Sequence, residues 1–403
     1  MLPVGERGGS AKVNPFVLLY ALAWAGGAIA YTPLLTILLP GRVAALAGAE
    51  LGVEWLAGIA LTGAVAASLG GILFGYLSDI SANRRGWIFA GMVLSGAMLG
   101  VIGMAETRIG LIAAVVCWQL SLNMMLGPLA ALAGDRVPDD HKGILGGLMA
   151  FAPAFGALSG TFITLPDSGG FAVRLWLVAG LVVACVVPIL FAPLPPLVEA
   201  HAASRDERSD HLRAIGSNAL RMWLARLAVQ IAEACLFSYL YFWLLRLDPS
   251  ISDHQAARLF GVAMVASAPL ALGAGRWSDR SGRPLLPLQA CAGIAAAALV
   301  VMSLSQSIAV AIAGYLIFGM ASSVFLALHS AQTLRVLPRP DRRARDLGIF
   351  NLANTIPSLI MPWLALGLVP RFGFPALFAA LAVLSGVAAL LLRSIARQDG
   401  LSP

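Results

Sequence analysis

The chain has 403 residues, 59% of them hydrophobic and only 12% charged, about half the roughly 25% charge of a soluble globular protein. That excludes a water-soluble domain, whose one core would outgrow the ~250–300 residues at which cores stop growing, and it predicts an all-α polytopic membrane protein. The net charge of +7 sits mostly in short turns between apolar runs, so it predicts contact with a bilayer surface and no nucleic-acid partner.

Apolar runs long enough to cross a hydrocarbon core of about 30 Å follow one another almost without pause. They fall near 16–39, 52–77, 87–105, 110–133, 143–165, 172–192, 220–245, 255–277, 285–305, 308–333, 345–369 and 373–395. The runs are continuous, not alternating, which selects helices over barrel strands. Residues 1–15 are polar and glycine-rich, and the first run is too long for a signal peptide. The longest polar stretch opens with Pro193-Leu194-Pro195-Pro196. It predicts an N-terminal six-helix bundle (1–192), a central loop (193–219) and a C-terminal six-helix bundle (220–403). Of the 27 lysines and arginines, 20 lie on the side holding both termini and that loop, while Arg42, Arg108, Arg174, Arg246, Arg258 and Arg371 lie opposite. The bias predicts that both termini and the central loop are cytoplasmic.

In chain order, the first run carries Tyr20, Trp24, Gly27 and Tyr31 on one face, followed by Thr32-Pro33. Packing or aromatic stacking on a planar ligand both suit that stripe. A charged turn follows the second run: Gly75-Tyr76-Leu77-Ser78-Asp79, then Arg84-Arg85. The fourth run offers Gln119 and Asn123, four apart, as uncharged donors and acceptors, and ends at Asp135-Arg136. The seventh run holds Glu233, the only carboxylate near a bilayer centre, within a stripe of Arg226, Gln230, Glu233, Phe237 and Tyr241. A charge at mid-bilayer costs about 2.5–3.5 kcal/mol even on the lenient insertion scale, so such a group faces a cavity or a partner. Proton carriage or solute binding by Glu233 stands beside a structural pairing with Arg226.

The charged turn then returns as Gly275-Arg276-Trp277-Ser278-Asp279-Arg280-Ser281-Gly282-Arg283, two hundred residues after its first copy, glycine on glycine and aspartate on aspartate. Val137-Pro138 returns likewise in Leu337-Pro338 at the end of the tenth run, behind Arg335. Such a period marks two like halves, parallel repeats about an axis along the membrane normal. The tenth run also carries His329, a residue able to relay a proton, and Gln332; the eleventh carries Asn351 and Asn354 ahead of Pro357. Cys117, Cys185, Cys235 and Cys291 lie inside apolar runs without metal-ligand spacing and read as small hydrophobes.

The two turns resemble the loop motif of the major facilitator superfamily, and the likeness covers the twelve runs and central loop. The second copy is the fuller one, with Asp279, Arg280, Gly282 and Arg283; in the first, Gly75, Asp79, Arg84 and Arg85 match, while Ile80 and Asn83 depart from the pattern. Arg345-Asp346-Leu347-Gly348 with Asn351, Asn354 and Pro357 is similar to bacterial disaccharide–proton and glycoside–pentoside–hexuronide symporters.

The resemblance implies two pseudo-symmetric six-helix bundles in a bacterial inner membrane, rocking about a central pocket. It implies gates at Gly75, Asp79, Arg84, Arg85 and Arg136, with Asp79 braced against the helix beginning near Arg345 and against Arg136. In the second half it implies gates at Asp279, Arg280, Arg283 and Arg335. Solute contacts would come from Tyr20, Trp24, Tyr31, Gln119, Asn123, Gln230, Phe237, Tyr241, Gln332, Asn351 and Asn354, and proton coupling from Glu233 and His329.

The expected protein is thus a monomeric secondary transporter, not an enzyme, taking a small and preferably sugar-like solute with a proton, and using no cofactor or metal. Two other readings stay open: proton-antiport efflux of an apolar compound, and a non-transporting assembly or receptor protein on the same scaffold.

Overall fold

The computed structural model describes residues 15–137, 145, 148–149, 151–165, 169–196, 217–281, 285–336 and 343–398. Every regular element among them is a helix. The first five are α1 (Pro15–Gly48), α2 (Leu51–Ile80), α3 (Arg84–Met104), α4 (Arg108–Arg136) and α5 (Ala152–Ile163). Then come α6 (Phe171–Phe191), α7 (Ser217–Leu247), α8 (Asp253–Ser281), α9 (Leu286–Leu304) and α10 (Ile308–Val336). The last element, Arg343–Gln398, is interrupted at Gly373 (φ 77°, ψ 176°), which separates α11 (343–372) from α12 (374–398). These helices follow the twelve apolar runs, and all but the short α5 belong to segments long and apolar enough to cross a bilayer.

Local chemistry sets the boundaries. The Asn83 side chain accepts a hydrogen bond from the Gly86 amide at the start of α3, and Thr107 accepts one from the Gly110 amide at the start of α4. Both caps satisfy amide donors that a helix start leaves without partners. Proline acts inside α1. Pro33 has no N–H to give, and the next turn, Leu34–Leu38, widens to a π-helix in which the Leu39 amide reaches back five residues to the Leu34 carbonyl. Such an inserted residue rotates everything beyond it on the helix face. At Gly48 (φ 70°), Gly169 (φ 86°) and Gly373 the chain turns through positive φ, where a Cβ clashes with the backbone.

The helices pack in two groups. α1 lies on α5 and α6, α2 on α4, and α3 on α4 and α6; α7 and α9 lie on the final segment, and α10 on α8 and α9. Small residues permit the closest of these contacts. At Gly91 of α3 an added Cβ would stand 2.7 Å from the Met124 carbonyl carbon and 2.9 Å from the Met125 Cα, so backbone meets backbone. Between the groups, α5 packs on α8, α2 on the final segment, and α7 on the π-turn of α1 and the start of α2. The outside is apolar: Ile72 is 75% exposed, and Leu69, Trp363 and Leu390 lie in the same range. Lipid solvates those side chains, so they carry none of the penalty they would bear in water.

Candidate functional site

Where the two groups meet, a cavity of about 250 Å³ opens between α1, α2, α4, α7 and α11. The π-turn aims Leu35 and Leu39 into it. α2 supplies a wall of small residues, Ala60, Gly63, Ala64, Ala67 and Ser68, recurring every three or four positions so that they share a face. α4 contributes Val115, Gln119 and Asn123; α7 contributes Ala234, Phe237 and Ser238; α11 contributes Ser358 and Met361. The ring of Phe237 stands edge-on to Phe260, with centroids 5.7 Å apart, which holds it at the cavity wall. The Asn123 amide donates to the Gln119 carbonyl at 2.9 Å and Ser68 donates to the Ala64 carbonyl at 2.9 Å.

Of the residues singled out as solute contacts, Gln119, Asn123 and Phe237 line this cavity. Tyr20 is fully buried and stacks on Trp24, centroids 6.4 Å apart, and its hydroxyl has no partner among the described residues. Tyr31 and Tyr241 pack against the main apolar core. The Gln230 Oε1 is buried without a partner among the described residues. The side chains of Gln332, Asn351 and Asn354 lie outside the described residues. Composition alone does not single out the α2 wall, Ser238 or Ser358. The period of small residues along 60–68 was a readable signal; the two serines had none, being common helix residues.

Glu233 is half-buried, one helical turn from Phe237 on α7. Tyr31 of α1, Tyr315 of α10 and Arg226 of α7 are its electrostatic neighbours; it is not among the described residues that line the cavity, and no hydrogen bond or ion pair binds its carboxylate among the described residues. The carboxylate therefore sits where helices of both groups converge. His329 is buried in a second apolar cluster of α7, α9, α10 and α12; its Nε2 lies 2.9 Å from the Met222 carbonyl and its ring packs on Phe325.

At one end of the molecule, the turn after α2 is held inside the first group. Arg84 pairs with Asp79, reaches the Asp135 carboxylate at 3.0 Å and donates to the Ser78 hydroxyl at 2.6 Å. Arg136 donates to the Pro195 carbonyl at 2.6 Å, and Arg85 to the Ala192 carbonyl. Asp79 thus finds its partner in Arg84, on its own turn, and not in Arg136, which a nearer carbonyl occupies; the side chain of Arg345 lies outside the described residues. Gly75 sits where α2 crosses α4, under Gly127. Arg280 is exposed, while the side chains of Asp279 and Arg335, and the whole of Arg283, lie outside the described residues.

The opposite end is tied between the groups. Arg174 at the start of α6 pairs with Asp253 at the start of α8. The Thr164 hydroxyl meets His254 Nδ1 at 3.4 Å, and the Thr161 hydroxyl donates to the Ala257 carbonyl at 3.3 Å. Near them, Arg42 donates to the Ala105 carbonyl at 3.2 Å and covers the Phe171 ring.

Helices with apolar exteriors, arranged in two groups around a cavity and bonded to each other at one end, are the architecture of a membrane transport protein. The chain belongs to the major facilitator superfamily, whose family model matches residues 16–320 and, again, 222–400. Solved structures share the fold at low identity. A bacterial homologue of the human lysosomal transporter Spinster, inward-facing and unoccupied, aligns with a TM-score of 0.67 and 15% identity over 97% of this chain and 96% of that one. The same homologue in its occupied inward-facing form gives 0.66 and 16% over 97% of each. The human organic anion transporter MFSD10 gives 0.64 and 15% over 94% of this chain and 100% of that one. A search of curated proteins finds no match.

Proposed function

We propose that this chain is an alternating-access secondary carrier that moves a small organic solute, with a proton taken up and released at Glu233. The observation that carries the reading is the cavity between the two groups, bonded across at one end, while the turn at the other end is bonded only within the first group among the described residues. Such a site is reachable from one side at a time. In this reading the halves are 1–192 and 220–403 joined by the 193–219 loop, the Asp79 end is cytoplasmic by its excess of arginine, and the protein works as a monomer in a bacterial inner membrane. The residues around Asp79 and Asp279 are gates: when the Asp79 end closes, Arg84 would exchange part of its hold on the first half for contacts to the second. His329 braces α10 against α7, close to Arg226 and the proton site.

The coupling energy suffices. One elementary charge crossing about 100 mV gains about 2.3 kcal/mol, enough for a roughly 50-fold solute gradient. Uptake of a sugar-like solute and efflux of an apolar one differ in what the cavity must bind, and the lining bears on that choice below. The organic anions of MFSD10 find little support, because no lysine or arginine lines the cavity among the described residues. The non-transporting scaffold reading is tested by Asp279→Asn, which should cost a carrier its turnover while leaving ligand affinity intact.

The decisive measurement is solute accumulation in proteoliposomes under an imposed proton gradient, native chain against Glu233→Gln. Gradient-driven accumulation should fall to the level of empty liposomes while downhill exchange survives; intact accumulation in the variant removes Glu233 from the mechanism.

A further inference from the structure

The cavity lining also says what kind of solute fits, given that the chain is a carrier. Among the described residues, five that line it are polar and none is charged. Two of the polar groups are already engaged: the Ser68 hydroxyl with the Ala64 carbonyl, and the Asn123 amide nitrogen with the Gln119 carbonyl. That leaves the Gln119 side-chain amide and the Asn123 Oδ1 on one half, and the Ser238 and Ser358 hydroxyls on the other, without hydrogen bonds among the described residues. The other described residues that face the space are apolar, including Leu35, Phe237 and Met361.

We propose that the solute is an uncharged, mostly apolar molecule with one or two hydrogen-bonding groups, gripped between the Gln119 amide and the Ser238 and Ser358 hydroxyls. Three features of the described lining weigh against the alternatives. A sugar carries hydroxyls around its whole rim, and each one pressed against leucine or methionine without a partner weakens binding roughly 5- to 150-fold. A charged solute would meet no countercharge among the described lining residues, and an unpaired ion in an apolar site is costlier still. A cavity of about 250 Å³ also falls below the roughly 300–1,000 Å³ of sites for drug-sized ligands, so the molecule is small. Because the polar groups come from both halves, a solute bonded to Gln119 and Ser358 together bridges the elements that must move, which links occupancy to the conformational step.

The test uses the purified full-length chain in detergent and a matched probe set: phenylethanol and benzamide as uncharged probes, benzoate and phenethylammonium as charged ones, and glucose. Thermal stabilisation measures binding, and labelled probes in proteoliposomes measure flux. At least one uncharged probe should stabilise the native chain saturably, while benzoate and glucose leave its melting unchanged. Gln119→Leu and Ser358→Ala should each weaken that binding about tenfold, and Gln119→Glu should admit phenethylammonium. Should Gln119→Leu fail to fold, Ser358→Ala and Gln119→Glu decide alone. The proposal is overturned if glucose or benzoate stabilises the chain and the uncharged probes do not, if no probe stabilises it, or if the variants bind like the native protein. Binding of an uncharged probe without flux would instead overturn the carrier reading and keep the solute class; gradient-driven flux of glucose would do the reverse.

Discussion

The two ends of the molecule solve the same problem differently. At the Asp79 end, guanidinium groups bond to Asp79, Asp135 and Ser78 and to the carbonyls of Ala192 and Pro195, just beyond the sixth helix. At the other end, Arg174 reaches across to Asp253, and threonines of α5 bond to α8. Similar side chains therefore serve opposite purposes: the first set makes a half rigid, and the second fastens one half to the other. A rigid half with a releasable fastening is what a rocking mechanism needs, because the moving parts stay intact while the contact between them changes.

The contrast can be broken most strongly at the fastening. Arg174→Asp sets two carboxylates face to face at a site where the native side chains are 17% and 28% exposed. We expect a shift of about 1–3 kcal/mol toward the form open at that end, after discounting for partial solvent screening. It would be read as faster thiol labelling of a cysteine placed at position 257, and Asp253→Arg in the same chain should reverse it. Next is Arg84→Ala, which removes one cation from two carboxylates and a hydroxyl. Asp79 is 61% exposed, so most of the cost comes from Asp135 and Ser78: about 1–2 kcal/mol of stability, read by thermal unfolding in detergent. Labelling at position 257 should not change; if it does, the two ends are not independent.

Smaller effects sharpen the picture. Gly48→Ala adds a Cβ at positive φ with nothing within 4 Å of it, so its cost is purely backbone, about 1 kcal/mol, seen as a lower unfolding midpoint. The smallest effect belongs to Asp248, in the turn between α7 and α8. Its carboxylate accepts from the Ser250 hydroxyl at 2.6 Å and the Ser250 amide at 2.9 Å, which holds it below the ordinary carboxylate range. A depressed folded-state value adds stability that is complete above the unfolded value near 4 and fades as pH falls through the folded one. Asp248→Ala should therefore melt with the same pH dependence as the native chain from pH 5 to 8, and differ only in more acidic buffer.

Much of the fold was legible because a bilayer enforces a simple code. The apolar runs are matched by helices among the described residues, the fifth only by the short Ala152–Ile163, and the doubled turn is what raised the expectation of two like halves. The site was legible only in part. Gln119 and Asn123 announced themselves because an amide in an apolar run needs a reason. Leu35 and Leu39 gave no such signal: their direction comes from the π-turn that Pro33 provokes, and a missing donor in the sequence does not say which way the next turn rotates. Tyr20 and Trp24 misled for the converse reason, since an aromatic stripe looks the same whether it meets a solute or, as here, the helices packed on α1. Asp79 paired with the nearest arginine of its own turn, a contact short in sequence that a search for partners on distant helices passes over.

The positive-φ glycines bear on how the molecule can open. Gly48, Gly169 and Gly373 all lie at the end where Arg174 meets Asp253. Each residue spans no more than about 3.6 Å of chain, so the joints of two residues between α1 and α2 and of Gly373 alone between α11 and α12 have little slack. Those helix pairs cannot part at their tips and must swing as joined levers. In the carrier reading proposed above, release of Asp253 by Arg174 should widen the mouth on that side between hairpins, along the seams of α5 with α8 and α2 with α11, and never between the two arms of one hairpin.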